Sequence, residues 1–427
     1  MRNIIILILL SLVLFTLNLG AFSLWQTDEV IYSNLAKEIL QSGDWITLHL
    51  NGEPWFIHPP LFMWLTAATG ALFGLSNFMA RLWCAIFGLI GVLTLYQLGK
   101  LFYNERVGFY SGLILATTFQ WIMQARLAIF DPPLAALMLL AVYFFFVGYK
   151  LKKPRAYWWF YVFLGLAVLM KGPIGILLPL LIIGFYALLT GELLNMFVEC
   201  HPIVGMMVAC AIGGSWYLIE WLIHGQIFVD RVIGYYTVNR FLGVVETHTG
   251  PVVYYVPVIL IGFLPWTAFL FEGIYDLWKD KKVRENLFVF LWIFVAFLFF
   301  SLARTKLPGY ILSLYPFLAL AAGKLLDKKE RIDVSFYIMI FISLFLLVLV
   351  FPLSNPMILN EHARLGLALL PLVLMMGVGG LLASVVYFIT KRKDYPVYIL
   401  VTSMVVFLLI FAYYSTPIIE EFKAGWG

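Results

Sequence analysis

YWWFYVFLGLAVLMKGPIGILLPLLIIGFYALLT, residues 157–190, carries one charged side chain, Lys171, in 34 positions. A helix crossing a membrane needs about 20 apolar residues. The stretch is too long for one span, and Lys171, Gly172 and Pro173 mark where it divides into two short ones. Comparable apolar runs recur at roughly 4–24, 80–100, 107–123, 132–149, 202–222, 252–275, 287–303, 309–323, 334–352, 365–390 and 396–414, so about thirteen spans are predicted. Composition agrees: 63% of the 427 residues are hydrophobic and 12% charged, against about half and a quarter in an ordinary globular domain. A water-soluble fold is excluded, and the chain reads as an all-α polytopic membrane protein.

The first run follows Arg2 and exceeds the usual core of a cleaved signal, about 7–15 residues, so it reads as a retained anchor. Cys84, Cys200 and Cys210 have no paired spacing that would suggest a disulfide or metal centre. The net charge of +5 could suggest nucleic acid. Instead, Arg2 and the clusters at 100–106, 150–155, 279–284, 324–331 and 391–393 hold most of the Lys and Arg on alternate loops. That asymmetry puts those loops and the N-terminus in the cytoplasm and the C-terminus outside, in a plasma-membrane protein with no nucleic-acid partner. The two longest connections, 25–79 and 223–251, then face outward, and loops of that length are usually functional.

The first of them begins WQTDEVIYSNLAKEIL from Trp25. Ile31, Leu35 and Ile39, flanked by Tyr32, Ala36 and Leu40, predict an amphipathic juxtamembrane helix. Thr27 would cap it, with Asp28 and Glu29 in its first turn, where helix capping competes with catalysis as their role. After the turn signal Asn51-Gly52, FIHPPLFMWL lets Pro59 and Pro60 start a short helix with His58 at its mouth. Asp131, in RLAIFDPPL, needs a partner near a membrane, and Arg126 is the nearest cation in sequence. Lys171 lies at the helix break described above. Arg240 in YYTVNRFLG and Lys306 in SLARTKLPGYILSLYP complete a set of separated cations facing two or three acids. Such a set suits an anionic lipid head group and a proton transfer beside it.

Taken in order, DE, GDW, NGEP, HPPL, RLAIFDPPL, MKGP, NRFLG, HTGP and TKLPGY resemble the GT-C glycosyltransferases of the aminoarabinose transferase and protein O-mannosyltransferase superfamily, over about residues 1–325. The resemblance implies a single integral membrane glycosyltransferase domain, with 326–427 adding transmembrane helices; a soluble C-terminal domain, present in longer relatives, is not expected here. It also implies transfer of a sugar from a polyprenyl-phosphate carrier to a lipid, glycan or protein acceptor on the outer face, with inversion. Asp28 matches the family's first-loop acid, with Glu29 beside it, and Asp131 the second acid. Arg240 matches a cation near the donor phosphate, and His58, Arg126, Lys171 and Lys306 are further candidates for that phosphate. The aminoarabinose branch has an acid and a lysine where Ile57 and His58 stand, and a histidine at Thr237. No metal is therefore carried over and no cofactor is implied, although a divalent cation stays open. A transporter or flippase is the rival class. It should show internal repeats and charges at mid-membrane, whereas here no repeat is visible and the charges cluster at helix ends.

Overall fold

The computed structural model describes residues 1–24, 27–232, 250–328, 330–355, 363–418 and 420. About four in five of them are helical. Among the described residues, seven helices are long and apolar enough to cross a membrane: Asn77–Phe102, Asp131–Leu151, Arg284–Leu302, Pro308–Asp327, Asp333–Ser354, Gly366–Thr390 and Asp394–Ile418. Leu193–Cys200 and Pro202–Gly213, bent by 58° at their junction, would form an eighth. Early elements are α1 (Arg2–Thr16), α2 (Thr27–Ser42), α3 (Leu61–Phe73), α4 (Asn77–Phe102), α5 (Glu105–Ala116), α6 (Phe119–Ala125), α7 (Asp131–Leu151), α8 (Ala156–Lys171) and α9 (Ile174–Thr190). The amphipathic helix, the helix after Pro59-Pro60 and the break at Lys171-Gly172-Pro173 all occur where the sequence predicts them.

Three predicted spans are broken rather than continuous. The run 107–123 divides into α5 and α6, and 252–275 divides between Gly262 and Ala268, a segment with a cis Leu264-Pro265 bond. The two breaks satisfy one another: Phe119 N–H donates to Leu264 O at 2.9 Å, and Trp266 Nε1 donates to Thr117 Oγ1 at 3.0 Å. Non-helical backbone at membrane depth survives only where protein supplies such partners. The run 202–222 breaks at Gly213-Gly214, pressed against α8, where a Cβ on Gly213 would come 2.7 Å from Val168 Cβ. Either side of the short connection at 103–104, α4 and α5 meet backbone to backbone, since a Cβ on Gly99 would lie 2.7 Å from Gly108 Cα. Small residues permit that approach.

Asn51 and Gly52, at φ +55° and +80°, turn a two-residue-strand hairpin, His49–Leu50 against Glu53–Pro54. This is the geometry that Asn-Gly turns favour. Glu38 on α2 accepts from Asn51 N–H (2.7 Å) and Gly52 N–H (3.1 Å), fastening the hairpin to the helix.

The junction of α1, α2, α4 and the segment before α7 is organised by Arg81. Its Nε donates to Glu29 Oε1 (2.8 Å), and Nη1 donates to Leu19 O and Phe22 O (3.1 and 2.9 Å). Nη2 donates to Ser23 O and Glu29 Oε2 (2.8 and 3.1 Å). All five guanidinium N–H groups are used. Glu29 Oε1 also accepts from Ala128 N–H at 2.8 Å, and both side chains are fully buried. Nearby, Arg126 donates to Leu14 O (3.0 Å) and Leu17 O (2.7 Å), and Cys84 Sγ to Ile129 O (3.0 Å).

Removing one partner of a buried ion pair typically costs about 3–5 kcal/mol. Arg81→Ala and Glu29→Gln should each lower the thermal unfolding midpoint of the purified protein. Arg81→Lys should rescue little, because three ammonium protons replace five N–H groups in a fixed fork. Midpoints within about 1 °C of the parent would remove this junction as a stability determinant.

Candidate active site

The face of α2 that packs inward carries Glu29, Tyr32, Leu35, Ala36 and Ile39. Asp28 lies one residue, about 100°, around the helix, and is exposed. Glu29, grouped with Asp28 among the acids from sequence, is therefore an anchor: its oxygens are taken by Arg81 and Ala128 N–H.

Tyr32 reaches from α2 to the segment that the same anchor holds. Its ring lies 4.1 Å, centroid to centroid, from Phe130. Phe130 lies 4.8 Å from His58, which also has Trp55 at 6.0 Å and Tyr32 at 6.4 Å. His58 is thus enclosed by aromatic rings and almost fully buried. Asp131 follows Phe130 directly and opens α7, ahead of Pro132 and Pro133.

The partner of Asp131 is not Arg126, the nearest cation in sequence, but Lys171 at the end of α8. Lys171 Nζ is 2.5 Å from Asp131 Oδ1, with each side chain about one-seventh exposed (14% and 15%). Arg126 is unavailable because its guanidinium is turned towards α1 carbonyls. Gly172, at φ +97°, lets the chain leave α8 at Lys171, so the ammonium ends at the helix terminus. The ring of Tyr310 stands 4.7 Å from Lys171 Nζ, a cation–π distance.

Asp131, Lys171, His58 and Tyr310 line a cavity of about 270 Å³. Its other walls are largely apolar, including Leu134, Ile174, Leu177, Phe299 and Phe300. Phe56, Tyr217 and Val232 close another side. That side is held by docking of helix Ser215–His224 on the hairpin approach: Trp216 Nε1 donates to Ile46 O (3.0 Å), and Thr47 Oγ1 to Glu220 Oε2 (3.3 Å). The cavity therefore has one polar corner bearing an ion pair and a histidine, and apolar surface elsewhere. It suits a molecule with an anionic head and a hydrocarbon body.

Lys306 does not line this cavity. It is buried and donates to Ser301 O (3.0 Å) and to Ala303 O, while its neighbour Thr305 faces the space. Arg240 and Thr237 lie outside the described residues. Among those described, no three His, Cys, Asp or Glu side chains come together as a metal site. Sequence reasoning missed Arg81 and the rings around His58. A lone arginine in the apolar run NFMARLWCAIFG was the available signal for Arg81.

Residues 57–217 match the family model described as dolichyl-phosphate-mannose-protein mannosyltransferase. An undecaprenyl phosphate-alpha-4-amino-4-deoxy-L-arabinose arabinosyl transferase of Proteus mirabilis is 29% identical over 366 residues, 79% of this chain and 63% of its own length. A second, from Pseudomonas fluorescens, is 29% identical over 377 residues, 84% of this chain and 64% of its own. The chain thus spans somewhat less than two thirds of these relatives. Among solved structures, ArnT from Cupriavidus metallidurans bound to undecaprenyl phosphate superposes with a TM-score of 0.85 at 24% identity, over 97% of this chain and 77% of that one. The archaeal oligosaccharyltransferase AglB from Archaeoglobus fulgidus gives 0.58 at 15% identity, over 95% and 55%. The motifs read from the sequence, the family match across the Asp131 and Lys171 segments, and a fold shared over nearly the whole length point the same way: the chain is similar to the aminoarabinose transferases and protein mannosyltransferases and has the fold of the solved ArnT structure.

Proposed function

We propose that the protein transfers a sugar from a polyprenyl-phosphate carrier to an acceptor at the outer face of the membrane, inverting the anomeric carbon. The observation that carries this reading is the Asp131–Lys171 pair beside His58 in the polar corner of an apolar cavity. As the glycosyl bond breaks, the carrier phosphate gains negative charge, so a cation aimed at it stabilises the transition state more than the ground state. Lys171 supplies that cation, Asp131 orients it, and His58 adds a donor from the facing wall. Arg240, from the second long loop, is proposed as the second cation. Arg126 and Lys306 are occupied by backbone carbonyls and act in the framework. The polyprenyl chain would leave along Ile174, Leu177, Phe299 and Phe300. Asp28 orients or deprotonates the acceptor, a base role typically contributing about 100- to 10,000-fold. A phosphate acceptor would need only orientation. The named activity of the two arabinosyl transferases makes an undecaprenyl-phosphate-linked aminopentose the first donor to try, and lipids, glycans and proteins of the envelope the acceptors.

The activity test is transfer of labelled sugar from that donor by the purified protein, followed by mass spectrometry of envelope lipids and glycans from a deletion strain. Lys171→Ala should lower transfer on the order of 10- to 100-fold, the equivalent of a charge-assisted contact worth about 1.5–3 kcal/mol. Asp28→Asn should lose at least about two orders of magnitude while keeping its unfolding midpoint, because loss of charge at an exposed helix N-terminus costs at most about 1 kcal/mol. Unchanged turnover in either variant would overturn that residue's role.

We also propose the topology on which this rests: thirteen spans, with the short and broken apolar helices counted, a cytoplasmic N-terminus, and an outward C-terminus and site. The charge distribution supports it. Single cysteines at Lys152 and Gly52, in a background lacking the exposed Cys210, should respond oppositely to an impermeant thiol reagent in intact cells. Position 52 should label and 152 should not, and the reverse pattern would invert the site.

A further inference from the structure

The segment Pro308–Leu314 is a short 3-10 helix running beneath the polar corner of the cavity. Three side chains from different parts of the bundle fix it through its carbonyls. Gln120 Nε2 donates to Pro308 O at 2.6 Å, Tyr255 Oη to Leu307 O at 3.3 Å, and Trp292 Nε1 to Ser313 O at 3.1 Å. Gln120 is itself held by Tyr315, whose hydroxyl donates to Oε1. The backbone at Gly309 therefore cannot retreat without breaking hydrogen bonds from three buried side chains, each expensive to leave unmade.

That backbone lies against the reactive pair. A Cβ on Gly309 would stand 2.5 Å from Asp131 Oδ2 and 2.9 Å from Asp131 Cγ, with Gln124 Nε2 next at 3.5 Å. The other oxygen of the same carboxylate faces Lys171. Gly309 has none of the positive φ angles found at other glycines, so its backbone conformation suits alanine and the conflict of an added methyl falls on Asp131. Asp131 has little room to yield, with Lys171 on one side and Phe130, packed against Tyr32 and His58, preceding it.

We infer that Gly309 is a positioning residue for Asp131: its missing side chain, on a backbone fixed from three sides, leaves the one space in which the carboxylate faces Lys171. The inference rests on the proposed roles of Asp131 and Lys171 for its effect on transfer, but not for its geometry. Tyr310, next along the segment, stands over the ammonium of Lys171, so one short turn addresses both members of the pair.

The test is a double-mutant cycle with two readouts. Gly309→Ala should displace the carboxylate, raising acylation of Lys171 by an amine-reactive ester at least about threefold, read by mass spectrometry in detergent. With a working donor, it should lower kcat about tenfold or more and leave the donor KM within about threefold. In the Asp131→Ala background, where the opposing carboxylate is gone, Gly309→Ala should change neither the labelling of Lys171 nor the residual transfer. It should also leave the unfolding midpoint at that of Asp131→Ala alone. If Gly309→Ala destabilises the protein outright, recovery of the fold in the double variant still assigns the clash to Asp131. Equal effects of Gly309→Ala with and without Asp131, or unchanged labelling in the single variant, would overturn the inference. Absence of transfer in the parent protein would instead count against the proposed function, while the labelling cycle would still decide the role of Gly309.

Discussion

The guanidinium of Arg81 sits on the helix that runs through the middle of the bundle and has five N–H groups to satisfy away from water. Its acceptors come from the stretch between α1 and α2 and from Glu29 on α2, and Glu29 in turn takes the backbone N–H of Ala128. Isolated, either charge would be prohibitively expensive to bury; paired and fully hydrogen-bonded, they become a joint with one geometry. Both acids proposed for chemistry depend on it. Asp28 is the residue before Glu29, and Asp131 lies three residues beyond Ala128. The register between them is therefore set by a pair that has no exposed surface.

From that joint the site is assembled mainly from helix ends. Asp131 opens α7, Lys171 closes α8, and His58 stands three residues before α3. Helix termini carry unsatisfied backbone groups that tolerate and orient polar side chains, so charge collects there while the helix bodies remain apolar. The same economy explains the broken spans. Where α5 gives way to α6, and where the chain turns between Gly262 and Ala268, the freed amide and carbonyl meet each other and no lipid-exposed polar backbone results. The floor of the site is a separate irregular segment, Pro308–Leu314, pinned by Gln120 at Pro308 and by Trp292 at Ser313.

Much of this was legible in the sequence. Length and hydropathy expose an all-α polytopic membrane fold, Lys171-Gly172-Pro173 and Asn51-Gly52 carry their own turn chemistry, and Asp131 among apolar residues and prolines announces a residue in need of a partner. The partner itself was not legible. Arg126 is five positions away and faces α1, whereas Lys171 is brought in from another helix by packing. Glu29 looked like a twin of Asp28 because both stand in the first turn of α2. Its place in the row with Tyr32, Ala36 and Ile39, together with the solitary Arg81, already contained the distinction. The breaks at Thr117 and Leu264 left no comparable mark, because each is satisfied by the other across more than a hundred residues.

In the proposed mechanism the polar corner at Lys171 receives the phosphate of a polyprenyl lipid. This contact is tested most directly by a structure of the protein with undecaprenyl phosphate bound. A phosphate oxygen is expected within about 3 Å of Lys171 Nζ, with density for the hydrocarbon chain running past Leu177 and Phe299. Phosphate bound elsewhere, with the corner empty and the chain away from α9, would contradict it.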